Sequence, residues 1–366
     1  MRYRRMPIEA ESPEQLGYAT IECNLAESSV SDVILSDYKV EFKNLALAYG
    51  DHYGKPELRK LIAEHSACNA NDVLVTAGAA SALFIIATSL LQTEDELIVT
   101  RPNYATNIET PLAIGCKINF IDLTFENHFA LKANEVEKLI TPKTKLISIT
   151  TPHNPTGTII ETEEINKIIA LAEKHNCYVL VDETYRDLTF DKVLPLWSST
   201  SKQVISVSSL SKAFGLPGIR IGWLCTSNTD LMELFLSAKE QIFITNSLVD
   251  EELAYYFMQQ RNQLLAEVKK EVGTKFTFLK NWMNQQSFLE WVEPKGGVVA
   301  FPRFIDANID TEQFYKKLYS EFKTMVGPGH WFEMPDCYFR LGFGWYKNDE
   351  FEKGLERIEK CFKSLY

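Results

Sequence analysis

Lys212 stands in a run whose residue types suit carbonyl and phosphate chemistry: Ser208-Ser209-Leu210-Ser211-Lys212-Ala213-Phe214-Gly215-Leu216-Pro217-Gly218-Ile219-Arg220. Small residues let a planar ligand approach the backbone closely. Hydroxyls and an arginine suit a phosphate. A lysine amine forms a Schiff base with a carbonyl when burial or nearby cations lower its pKa. Ser209 precedes the lysine by three residues and Arg220 follows it by eight. Taken alone, the stretch fits a surface lysine in a loop as well, because short motifs recur by chance.

Such a lysine needs a frame, and the chain offers one. An apolar strand at 72–76 runs into Ala77-Gly78-Ala79-Ala80-Ser81 and then a helix reaching about residue 91. A strand, a small-residue turn and a helix N-terminus make an anion site, because free N–H groups and the helix dipole converge there. A strand at 96–99 leads to Arg101-Pro102-Asn103-Tyr104. Another, at 145–150, ends in Thr151-Pro152-His153-Asn154-Pro155-Thr156-Gly157, ahead of a helix at 161–175. A strand at 177–182 ends on Asp182, with Glu183-Thr184-Tyr185 behind it. The carboxyl ends of strands are where open α/β sheets contact their ligands. The strand at 203–207 feeds the lysine stretch, and a further strand follows at 219–225. Strands thus alternate with helices from about 73 to 225, which predicts a mostly parallel sheet with helices on both faces.

Beyond about residue 246 the pattern changes. A long helical periodicity covers 249–285, then come a strand at 296–301, a helix at 310–321, a strand at 337–344 and a closing helix at 350–365. Arg340 falls in that apolar strand, where a buried cation needs an anionic partner. An internal salt bridge would serve it as well as a bound carboxylate. Residues 1–20 read as an irregular arm, and 24–29 as a loop.

Composition excludes several classes. The 366 residues are 45% hydrophobic and 24% charged, an ordinary globular balance with material for two domains. The net charge of −11 argues against non-specific nucleic-acid binding. Seven scattered cysteines read as free thiols in a reducing compartment, and six histidines show no metal-ligand spacing. The basic start Met1–Met6 runs into acidic residues, not an apolar stretch, and no run is long enough to span a bilayer, so a cytoplasmic protein is expected.

Together these stretches resemble the fold-type I enzymes that use pyridoxal 5′-phosphate (PLP), the aspartate aminotransferase superfamily in its class I and II branch. The resemblance covers nearly the whole chain. It implies an α/β architecture: a large PLP-binding domain over 41–245 with a mostly parallel, seven-stranded sheet between helices. A smaller α+β domain would come from 246–366 and the N-terminal arm, 1–40. By the same resemblance Lys212 carries PLP as an internal Schiff base. Asp182 pairs with the pyridine nitrogen, and Tyr185 and Asn154 bond the phenolic oxygen. Tyr104 stacks on the ring. Gly78, Ala79, Ala80, Ser209 and Arg220 hold the phosphate, and Arg340 grips the substrate carboxylate beside Asn154 and Ala26. The run Tyr49-Gly50-Asp51-His52-Tyr53-Gly54 is similar to a signature in which the tyrosine reaches the neighbouring subunit's phosphate, so Tyr49 implies a homodimer, with Tyr53 as the spare candidate.

The expected activity is transfer of an amino group from an L-amino acid to a 2-oxo acid, without metal, nucleic acid or membrane. A lyase performing β-elimination, such as a carbon–sulfur lyase, shares the cofactor and remains open. So does a cyclising or replacement enzyme: Ala26-Glu27-Ser28-Ser29 stands where the family usually carries a glycine, a departure that resembles a smaller branch including capreomycidine synthase.

Overall fold

A computed structural model describes residues 1–365 apart from 43, 307, 346 and 347. Seven strands form the central sheet: β1 (Val73–Thr76), β2 (Glu96–Arg101), β3 (Lys117–Asp122), β4 (Thr144–Thr150), β5 (Tyr178–Asp182), β6 (Val204–Ser209) and β7 (Gly222–Cys225). Their order is β1-β7-β6-β5-β4-β2-β3, and only β7 runs antiparallel to its neighbours. This is the mostly parallel, seven-stranded α/β sheet that the sequence predicts.

Alternating side chains on the strands go to opposite faces. On one face Leu97, Leu146, Leu180 and Ile205 pack with the helices Gly78–Leu90 and Thr229–Phe243. On the other, Ile98, Ile147, Val179 and Val204 pack with the helix Thr162–His175. Both faces are therefore covered, as a parallel sheet requires. Sequence reasoning missed β3 because it is an edge strand, half-exposed and charged at both ends, with no continuous apolar run.

The C-terminal part is built differently. Val299–Ala300, Phe339–Gly342 and Gly327–Pro328 make a small antiparallel sheet, with Phe339–Gly342 in the middle. The predicted single helix over 249–285 is in fact two helices, Leu248–Gln259 and Arg261–Met283, parted at Gln260 (φ −103°, ψ 10°). No glycine or proline marks that break, so the apolar period runs through it unbroken. The predicted strand at 219–225 starts later, at Gly222, because Pro217–Ile219 form a helical turn. The arm is also less irregular than expected: Pro7–Ala10, Pro13–Leu16 and Tyr18–Thr20 are single helical turns.

The arm is fastened to the C-terminal part. Cys23–Asn24 pairs in parallel with Thr324–Met325. Leu25 O accepts from Gly342 N at 2.7 Å. A Cβ on Gly342 would stand 1.7 Å from Glu27 O, so only glycine lets residues 25–27 lie this close to the strand. Val30 N donates to Lys212 O, which lays the following loop across the lysine segment. All seven cysteines are free, and among the described residues no helix is long and apolar enough to cross a membrane.

Candidate active site

The carboxyl ends of β1, β2, β4, β5 and β6 open on one cavity of about 380 Å³. Asp182 ends β5 and Ser209 ends β6, while Tyr104, Asn154 and Lys212 follow their strands within four residues. The parallel direction of those strands is what brings residues more than 100 positions apart to one place. Ala79, Ala80, Arg220, Arg340, Tyr185 and Ala26 line the same cavity. Gly78 lies behind Ala79, at the turn. Tyr49 lies elsewhere: it is 80% exposed on the surface of the subunit. Tyr53, the spare candidate, donates to Glu233 Oε1 at 2.5 Å.

At one end the helix Gly78–Leu90 presents its first N–H groups. Gly78 has φ +77°, and a Cβ there would stand 2.4 Å from Arg220 Nη2, so the guanidinium lies directly over the turn. Arg220 itself takes the left-handed conformation (φ 46°, ψ 47°), which costs a non-glycine residue about 1–2 kcal/mol. It donates through Nη1 to Pro217 O at 2.9 Å. Ser209 and Ser211 complete this anion-suited end.

At the floor, Asp182 is 5% exposed, and Thr184 donates to its Oδ1 from N (3.1 Å) and Oγ1 (2.6 Å). Burial raises the Asp182 pKa, and the Thr184 bonds restrain that rise. A buried carboxylate in this state is prepared to pair with a protonated ring nitrogen. Tyr104 is positioned by its neighbour Asn103. The fully buried Asn103 accepts from Tyr104 N (2.8 Å) and Thr150 Oγ1 (3.1 Å), and donates to Thr100 Oγ1 (3.0 Å).

His153, assigned no role from sequence, ties two site loops together. Nε2 donates to Pro102 O at 3.0 Å, and Nδ1 accepts from Thr156 Oγ1 at 2.8 Å. Burial lowers its pKa to about 4, so it is neutral here.

Lys212 Nζ donates to Ser28 Oγ at 3.0 Å. Burial pushes its ammonium below the usual lysine range, while Glu27 works against that shift. Tyr185 donates its hydroxyl to Ser28 O at 2.7 Å, and burial raises its pKa to about 12. Ser28 thus touches two expected site residues, a contact the sequence did not show. Arg340 is 4% exposed. It donates to Asn154 Oδ1 (3.2 Å) and Ala26 O (2.7 Å), and its Cζ lies 5.0 Å from the Phe332 ring centre. Its Nε is buried without a partner. No carboxylate forms an ion pair with Arg340 among the described residues, so the internal salt bridge left open by the sequence is not what holds it.

A half-buried amine, a buried carboxylate and an anion cradle around one cavity define a PLP-dependent enzyme of fold type I. The chain belongs to the class I and II aminotransferases, whose family model matches residues 26–358, and it is a PLP-dependent transferase. It is 24% identical to aromatic-amino-acid aminotransferase 2 of Thermococcus litoralis, over 86% of this chain and 84% of that one. It is 27% identical to capreomycidine synthase of Streptomyces vinaceus, over 87% of this chain and 82% of the relative. The crystal structure of a PLP-dependent aminotransferase from Streptococcus suis 89-1591 shares the fold, with a TM-score of 0.92 over 100% and 99% of the two chains at 23% identity.

The cavity fits the cofactor on its own terms. The Gly78 turn and Arg220 suit the phosphate, the Asp182 carboxyl suits the ring nitrogen, and the Lys212 amine suits the aldehyde.

Proposed function

We propose that the protein transfers the amino group of an L-amino acid to a 2-oxo acid, with Lys212 as both the attachment point for PLP and the base. Bound PLP supplies an aldehyde that takes up the amino group and a ring that accepts the electron pair left at the substrate Cα. Arg340 binds the substrate α-carboxylate through its fork, Asn154 and Ala26 O fixing the guanidinium plane. That placement sets Cα beside Lys212. Nζ, in its neutral form, removes the α-proton, and desolvation shifts the amine toward that form while Glu27 opposes the shift. Asp182 keeps the ring nitrogen protonated. Tyr104 fixes the ring plane, Asn154 Nδ2 steadies the phenolic oxygen, and the Tyr185 hydroxyl does the same once it turns from Ser28 O. Ala79, Ala80, Ser209 and Arg220 hold the phosphate.

The observation that carries this reading is the Lys212 amine in one cavity with Asp182 and Arg340. A single turnover of the PLP-loaded protein with a panel of L-amino acids and no acceptor tests it. One equivalent of 2-oxo acid without ammonia is expected. Ammonia or a released side-chain group would point to the lyase or cyclase instead. That alternative draws support from the loop 26–29, whose Ser28 hydroxyl bonds Lys212 directly.

The active unit in this reading is a twofold homodimer in which Tyr49 reaches the partner's phosphate. The exposure of Tyr49 (80%) and of Leu47 (79%) in the same segment supports an interface there. The division into a large part, 41–245, and a small part, 246–366 joined by the arm, 1–40, draws support from the pairing of Cys23–Asn24 with Thr324–Met325.

A further inference from the structure

Glu27 lies in the cavity next to Ala26, the residue whose carbonyl holds Arg340. Tyr18 (3.2 Å) and Asn24 Nδ2 (3.3 Å) both donate to its Oε1. Oε2 makes no hydrogen bond among the described residues. Nor does the carboxylate form an ion pair with either nearby cation: Lys212 donates to Ser28, and Arg340 to Asn154 and Ala26. Glu9 and Glu14, from the turns Pro7–Ala10 and Pro13–Leu16, line the same cavity.

The charges of this cavity do not balance without a ligand group. Its cations are Lys212, Arg220 and Arg340, and its carboxylates are Glu9, Glu14, Glu27 and Asp182. On the reading above, Arg220 faces the phosphate, Lys212 is joined to the cofactor, Asp182 faces the ring nitrogen and Arg340 takes the α-carboxylate. The buried, unpartnered Arg340 Nε points independently to an anionic ligand group at that end. Glu27 is then left beside two cations that the cofactor and the α-carboxylate already engage, and the exposed Glu9 and Glu14 form no ion pair among the described residues. Burial raises the Glu27 pKa, with Lys212 and Arg340 opposing, so the group is partly desolvated and close to both. A partly desolvated carboxylate with one free oxygen is matched by a cation that brings its own donors.

We propose that the substrate is an L-amino acid with a cationic side chain, an ammonium or guanidinium, and that Glu27 is the residue that selects it, with Glu9 and Glu14 as an outer acidic wall. This rests on the reading in which Arg340 takes the α-carboxylate. A side-chain carboxylate would face the same acidic wall and be repelled, so dicarboxylic amino acids are disfavoured.

The test compares L-arginine with L-citrulline, its uncharged near-isostere, and with L-ornithine and L-glutamate, in single turnovers of the PLP-loaded protein. Arginine and ornithine are expected to exceed citrulline and glutamate in kcat/KM. Glu27→Gln is expected to shrink the arginine-to-citrulline ratio on the order of 100-fold, the effect of removing one partner of a desolvated charge pair. Glu27→Asp, which keeps the charge and shortens the reach, should shrink it less. Equal handling of arginine and citrulline by the unaltered protein would overturn the proposal. So would a glutamate preference, or a ratio unmoved by Glu27→Gln. If no amino acid turns over while calorimetry still shows arginine bound more tightly than citrulline, the aminotransferase reading fails and the cation site stands. If neutral amino acids turn over and cationic ones do not, the cation site alone fails.

Discussion

Replacing Arg340 with lysine keeps the charge and removes the fork. Arg340 reaches Asn154 Oδ1 and Ala26 O through its two terminal nitrogens and still has Nε free. A lysine has one nitrogen for all of these positions, so either the bonds that position it or its hold on the carboxylate must go. Weakening a buried, hydrogen-bonded charge pair costs about 2–5 kcal/mol when one partner is removed outright. With the charge retained, the lower part of that range applies, about 2–3 kcal/mol, or about 30- to 200-fold in kcat/KM. The assay pairs an L-amino acid with the amine that lacks only its carboxylate. Arg340→Lys should depress the amino acid by that factor, mainly through KM, and leave the amine's slow reaction within about threefold. Equal losses for both would show that Arg340 acts on the fold or the cofactor, and the account of carboxylate binding would be wrong.

Ser28→Ala removes the hydroxyl that Lys212 Nζ bonds at 3.0 Å but keeps the carbonyl that Tyr185 uses. It should slow a single turnover about tenfold, the upper worth of one neutral hydrogen bond, with thermal stability nearly unchanged; an unaltered rate would remove Ser28 from the mechanism. His153 has its folded pKa lowered from 6.5 to about 4. Its contribution is therefore complete above pH 6.5 and lost as pH falls toward 4, about 2.5 kcal/mol by pH 4.5. Urea unfolding at pH 7 and 4.5 should show a smaller acid loss in His153→Gln than in the unaltered protein, and parallel losses would refute the assignment. The buried Glu183, with its pKa raised to about 7, gains stability over the same range but does so in both proteins. Tyr49→Phe should weaken PLP binding about tenfold while the dimer persists in sedimentation, and a fully active monomer would contradict the shared site.

Where a candidate residue ends a strand or follows it within four residues, the sequence was enough to place it at the cavity. Asp182, Ser209, Lys212, Asn154 and Tyr104 each follow an apolar run, and parallel strands deliver their carboxyl ends to one edge. The acidic side of the cavity was not legible. Glu9 and Glu14 sit on single helical turns without a periodic pattern. Glu27 is brought in by contacts spanning about 300 residues, through Cys23–Asn24 against Thr324–Met325 and Leu25 against Gly342. The one local sign was negative: the loop 26–29 lacks the glycine expected there, and Gly342, on the facing strand, supplies the room instead. The partners of Tyr185 and Arg340 escaped notice for a related reason. Both donate to backbone carbonyls, which carry no mark in a sequence.

The most direct test of the central claim is to reduce the PLP-loaded protein with borohydride, which converts a lysine-linked cofactor into a stable secondary amine, and to map the modified peptide by mass spectrometry. The account predicts one modified site, Lys212, and none in Lys212→Ala. A stable adduct on another lysine, or full modification of the Lys212→Ala protein, would contradict it.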